Sequence, residues 1–136
     1  MGDRSIVVTG ASTGIGRACV ASAVAGGAHV FATVRSQKDA DALSQEFGNR
    51  VTPLIMDVTD AAAVAAAAAR VKQALAGRTL DGLVNNAGIV VAGPVELLAT
   101  DELRRQFETN VFGLHEVTRA FIPLLKGERP GRIVMI

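Results

Sequence analysis

The sequence contains no tyrosine and no tryptophan, and five phenylalanines make up the rest of that aromatic class. No phenol can therefore act as an acid or base within these residues. A single cysteine, Cys19, excludes an internal disulfide. Its place inside a helical stretch reads as an inert packed thiol rather than a nucleophile. No apolar run approaches the roughly 18–20 residues of a membrane span, and the pattern of a secretory signal is absent. Met1-Gly2 could open a myristoylation signal, but Ile6 stands where serine or threonine is needed. Charge of one sign is also lacking. The 14 basic residues, 11 of them arginine, face 13 acidic ones for a net charge of +1, and they are scattered along the chain. That balance argues against a nucleic-acid partner. The expectation is a cytoplasmic protein with neither a nucleic-acid nor a membrane partner.

What is present is apolar. Hydrophobic residues are 49% of the 136, and a domain of this size buries roughly two-thirds of its extended-chain surface. Short β-branched runs alternate with longer helical stretches. Strands are predicted over 5–9, 29–34, 51–56, 80–85 and 132–136, with Pro53 marking the third as an edge. Helices are predicted over 14–25, 36–47, 60–75 and 101–125. Gly26-Gly27 and Gly48-Asn49 act as stops, Ser36 with Asp39 as a capping box, and Thr100 as an N-cap. The alanine-rich stretch Ala65–Ala69 reads as helix rather than low-complexity disorder, because alanine is the best helix former. In the last helix Leu103, Phe107, Val111, Leu114, Thr118 and Phe121 recur every three to four residues and predict one buried face. Five strands alternating with four helices imply right-handed crossovers and a parallel sheet in one domain spanning 1–136.

The most informative segment is Thr9-Gly10-Ala11-Ser12-Thr13-Gly14-Ile15-Gly16, placed directly between a strand and a helix. A phosphate requires bare backbone N–H groups and the positive end of a helix dipole. Gly10 permits the turn off the strand, Gly14 clears the ligand's approach, and Gly16 lets the helix sit close to the sheet. Arg17-Ala18 stands where a P-loop needs Lys-Ser/Thr. Three further stations follow strand ends, where an open parallel sheet places its ligands. Arg35 ends the second strand, where a carboxylate would favour NAD(H). It can pair with a 2′-phosphate, and the alternative is an arginine merely solvated at a helix start. Asp57-Val58 ends the third strand; Asp57 either accepts from an adenine amino group or serves helix entry. Asn85-Asn86-Ala87-Gly88 ends the fourth and suits a ribose or a strand-end turn. Asn110 and Gly113 are weak helix formers inside a long helix and predict a local kink with a freed carbonyl.

In this order, Thr9-Gly10-x-x-x-Gly14-x-Gly16, Asp57-Val58, Asn85-Asn86-Ala87-Gly88 and Asn110 resemble the classical short-chain dehydrogenase/reductase family along the whole chain. The resemblance implies a Rossmann-type doubly wound α/β sheet of order 3-2-1-4-5 and NADP(H)-dependent interconversion of an alcohol and a carbonyl. It implies that Gly10, Ser12, Gly14 and Ile15 surround the pyrophosphate and nicotinamide side, and that Arg35 holds the 2′-phosphate. Asp57 and Val58 would contact adenine. Asn86, Ala87 and Gly88 would line the adenosine ribose, with Val111 near the adenine end. Asn110 would be catalytic, its main chain holding a water in a proton relay. No metal is implied.

The departure from the family is as informative as the match. Members carry a serine after the fifth strand and then Tyr-x-x-x-Lys, and none of these precedes Ile136. Lys38, Lys72, Lys126, His29 and His115 are poorly placed to replace them. The chain on its own is therefore expected to be inactive, the cofactor half of an oxidoreductase. A non-catalytic nucleotide-binding module and a nonfunctional fragment are the alternatives. The stretch Gly88–Pro94 is similar to members acting on apolar, retinoid- or steroid-like substrates. Members continue with further strands, so the fifth strand is expected to be an uncapped edge that, with the last helix, drives homo-oligomer formation.

Overall fold

The computed structural model describes residues 4–136, so Met1-Gly2 and its excluded lipidation signal lie outside the described residues. Five parallel strands form one sheet in the order β3-β2-β1-β4-β5. They are β1 (Ser5–Val8), β2 (His29–Val34), β3 (Val51–Ile55), β4 (Gly82–Asn85) and β5 (Arg132–Met135). The β2 strand is buried throughout because helices cover both faces of the sheet. Pro53 sits opposite Ala32 on edge strand β3, where a missing N–H costs no ladder bond on the outer side.

Helices α1 (Gly14–Ala25) and α2 (Gln37–Phe47) cover one face, where Val20 and Leu43 join Val8, Val30 and Val34. Cys19 is partly buried and packs against that cluster. On the other face lies α3 (Ala61–Leu75), whose Val64, Ala67, Val71 and Leu75 meet Val7, Phe31, Leu54 and Leu83. The alanine run is therefore a helix with a spaced apolar stripe, as its propensity predicts.

The long fourth helix is one rod in three segments: α4 (Thr100–Phe107), a π-helical turn (Glu108–Gly113) and α5 (Leu114–Leu125). Asn110 and Gly113, where the sequence predicts a kink with a freed carbonyl, lie within this π-helical turn. Two expectations fail here. Thr100 is the first helical residue, and Ala99 occupies the cap position without a side-chain bond. The single buried face is also incorrect. Leu103, Phe107 and Val111 are 45%, 49% and 45% exposed, whereas Gly113, Val117, Phe121 and Leu125 are buried. Of the rod, α5 is the segment that packs on β4 and α3, so the apolar residues upstream stay half exposed. At β5, Ile133, Val134 and Met135 are exposed.

His29 lies at the far end of the sheet from the strand C-termini, buried against Phe31 with Nε2 2.9 Å from the Thr52 hydroxyl. Burial, reinforced by Arg50 and Arg78, holds its pKa below the usual imidazole value. His115 is exposed on α5.

Candidate functional site

The loops after β1, β2, β3 and β4 converge on a cavity of about 770 Å³, within the range of small-molecule sites. Its lining includes Gly10, Ser12 and Ile15 from the first loop, Arg35 from the second, and Asp57 with Val58 from the third. Asn86, Ala87 and Gly88 come from the fourth, and Arg105, Glu108 and Thr109 come from the rod. Among the residues assigned from the sequence to cofactor binding or catalysis, Gly14, Asn110 and Val111 stand outside this lining.

The first loop is shaped by contacts that no side chain would allow. Gly10 has φ +64, and a Cβ there would lie 2.9 Å from the Ala87 Cα. A Cβ on Gly16 would strike the Gly10 carbonyl oxygen and the Asn86 amide. Gly14 differs: its φ is +57 and the space around a Cβ is open. The start of α1 is thus bare. Thr13 makes no side-chain cap bond there, and the first turn holds no acidic residue.

Threonine hydroxyls, absent from the sequence reading, tie this loop to its neighbours. Thr9 Oγ1 accepts from the backbone N–H groups of Asn86 and Ala87 at 3.0 and 2.9 Å. Thr33 Oγ1 accepts from the Gly10 N–H at 3.3 Å. Asn86 returns its side-chain amide to the Thr9 and Gly10 carbonyls, both at 3.0 Å. That amide is therefore committed to the loop, and only the remainder of Asn86 is left to line the cavity. Asn85 likewise turns inward, donating to Thr118 Oγ1 at 2.9 Å.

Asp57 Oδ1 accepts from the Thr59 N–H at 2.9 Å and from its hydroxyl at 2.7 Å. Those two bonds hold its carboxyl below the usual carboxylate range, with the nearby Arg35 charge adding to them. The helix-entry role left open by the sequence is thus filled, and the residue lines the cavity as well. Among the described residues the ion pairs are Arg17–Glu46, Arg104–Asp101, Arg105–Glu102 and Arg119–Glu116. Arg35 enters none of them.

Asn110 sits in the π-helical turn and clasps the segment after β4. Its Oδ1 accepts from the Ile89 N–H at 2.9 Å, and its Nδ2 donates to the Ile89 carbonyl at 2.8 Å. Gly113, in the same turn, lies so close to the β3–α3 loop that a Cβ would come within 2.8 Å of Val58 Cγ2. One turn of the rod therefore braces two walls of the cavity. The clasp, like the threonine ties, spans too much sequence for local patterning to show.

Residues 4–136 match the model of the short chain dehydrogenase family. The chain belongs to that family. Short-chain dehydrogenases are oxidoreductases, and the relatives bear this out. An NADPH-dependent 3-dehydrocapnine reductase from Ornithobacterium rhinotracheale is 35% identical, the alignment covering 98% of this chain and 48% of the relative. Retinol dehydrogenase 7 from Mus musculus is 34% identical, with 98% of this chain and 42% of the relative covered. A crystal structure of a short-chain dehydrogenase from Streptomyces avermitilis superposes with a TM-score of 0.87 at 39% identity, covering 97% of this chain and 48% of the other. This short-chain dehydrogenase sequence thus spans about half the length of the proteins it matches, or slightly less. No helix among its described residues is long and apolar enough to cross a membrane.

Proposed function

We propose that residues 1–136 form the NADP(H)-binding domain of an enzyme that interconverts an alcohol and a carbonyl. The observation that carries this reading is the pairing of a bare helix start with an uncommitted cation on one cavity. The α1 N-terminus has no side-chain cap, and Arg35 has no ion-pair partner among the described residues. In this reading the first-turn N–H groups of α1 face the pyrophosphate, with Gly14 leaving room for its oxygens. Arg35 takes the 2′-phosphate, and Asp57 with Val58 borders the adenine. The bound nicotinamide would supply or accept the hydride. Asn110 spends its side chain on Ile89, so its main chain is what remains for a proton relay. The NADPH dependence named for the bacterial reductase supports the cofactor preference.

These 136 residues hold no tyrosine, so the polypeptide by itself is expected to bind NADPH without turning it over. Val90, Val95 and Leu97 are 86%, 92% and 77% exposed beyond β4. With the retinol dehydrogenases among the relatives, they support an apolar alcohol or ketone as substrate. The exposed apolar residues Phe107, Val111 and Phe112 of the rod support homo-oligomer formation, and the composition supports a cytoplasmic location.

The test is a fluorescence titration of NADPH and NADH against the chain and its Arg35→Ala variant. Loss of one charge-assisted contact should weaken NADPH about ten- to hundredfold and leave NADH unchanged. Equal affinities of the unsubstituted chain for the two cofactors would reject the assignment.

A further inference from the structure

Residues Ile89–Val91 run along the β4 side of the cavity without a backbone-to-backbone hydrogen bond among the described residues. Side chains of the rod hold them instead. Asn110 supplies both bonds to Ile89. A third comes from Gln106, whose Nε2 donates to the Val91 carbonyl at 3.0 Å. Gln106 lies four residues before Asn110, on the preceding turn of the same rod. The two amides thus meet alternate residues of the segment, as rungs meet a rail, and Val90 between them faces outward. With Asn110 alone the segment would be fixed at one point and free to swing about Ile89. Gln106 removes that freedom while standing outside the cavity lining itself.

We propose that Gln106 is a positioning residue for the nicotinamide half of the dinucleotide, acting through the Val91 carbonyl on the wall formed by Ile89. The inference rests on the NADP(H) reading of the cavity. Sheet order supplies the direction. Arg35 follows β2 and Asp57 follows β3, which assigns the phosphorylated adenosine to that side. Ile89 follows β4, two strands beyond β2 in the order β3-β2-β1-β4-β5. Two strand spacings are about 10 Å, so the wall held by Gln106 meets the half of the ligand that carries the nicotinamide.

A purely structural residue would weaken every ligand alike; a positioning residue on this wall would not. The experiment titrates NADPH and adenosine 2′,5′-bisphosphate, which lacks the nicotinamide half, against Gln106→Met and Gln106→Glu. Gln106→Met keeps the length without the donor, and Gln106→Glu sets a carboxylate against the Val91 carbonyl. Loss of one neutral hydrogen bond should lower NADPH affinity about three- to tenfold in Gln106→Met, and further in Gln106→Glu. Affinity for the bisphosphate should stay at the unsubstituted value in both. Gln106→Arg, which restores a donor, should recover most of the NADPH affinity. Equal weakening of both ligands, or unchanged NADPH binding, would overturn the inference. Should Gln106→Met fail to melt cooperatively, Gln106→Glu and Gln106→Arg decide it by the same contrast. If the unsubstituted chain binds neither ligand, the NADP(H) reading falls, and this inference with it.

Discussion

Helices α1 and α3 begin at the same rim of the sheet, each directly after a strand, yet their first turns are built in opposite ways. At α3, Asp60 Oδ1 accepts from the N–H groups of Ala62 and Ala63 at 3.0 and 3.1 Å. At α2, Ser36 Oγ accepts from the Asp39 N–H at 3.2 Å and donates to its carboxylate at 2.7 Å. At α1, Thr13 caps nothing. An N-cap side chain contributes roughly 0.5–2 kcal/mol, so α1 forgoes stability that its neighbours keep. The difference teaches what each helix is for. A capped terminus has spent its donors on the chain, whereas an uncapped one facing a cavity leaves them open to it.

The contrast can be broken hardest at Gly16. Gly16→Ala would drive a Cβ into the Gly10 carbonyl oxygen and the Asn86 amide, which belong to the loops after β1 and β4 that α1 must meet. Overpacking of this kind costs about 1–3 kcal/mol, and urea denaturation should show that loss together with abolished NADPH binding. A variant of unchanged stability and affinity would mean that the close approach of α1 is dispensable. A subtler break gives α1 the cap that α3 has. Thr13→Asp should stabilise the helix by about 0.5–1 kcal/mol. It should also lower NADPH affinity at least about tenfold, roughly 1.4 kcal/mol, by placing a carboxylate where the proposed function puts the pyrophosphate. A higher melting temperature with undiminished affinity would show that the phosphate sits elsewhere. The reciprocal change is the smallest. Asp60→Ala should cost about 1 kcal/mol of stability in the same denaturation assay and leave NADPH affinity as it was.

Much of this architecture was legible because it depends on neighbours in sequence. Alternating runs set the parallel sheet, Pro53 marked its edge, and glycine spacing marked the bare helix start. The misreadings share a cause. Periodicity in Leu103, Phe107 and Val111 says that they share a face, not that anything covers it, and α5 is the segment of the rod that packs on β4 and α3. Asn86 lines the cavity, and what the sequence did not show is that its amide is tied to Thr9 and Gly10, more than seventy positions away. Gln106 and Thr33 were invisible for the same reason. Their partners are set by how strands and rod meet, which no local window contains.

The π-helical turn carries a consequence of phase. An α-helix advances about 100° per residue, so the residue added within one π turn rotates everything beyond it by about that angle. The rod is thereby two helices out of step within one unbroken backbone. Before the turn, Gln106 and Asn110 aim at the segment after β4. After it, Val117, Phe121 and Leu125 aim at the core. Residue count between the two groups, rather than residue identity, keeps both aims true. Like teeth on a shared shaft, the faces stay in mesh only while the offset between them is preserved.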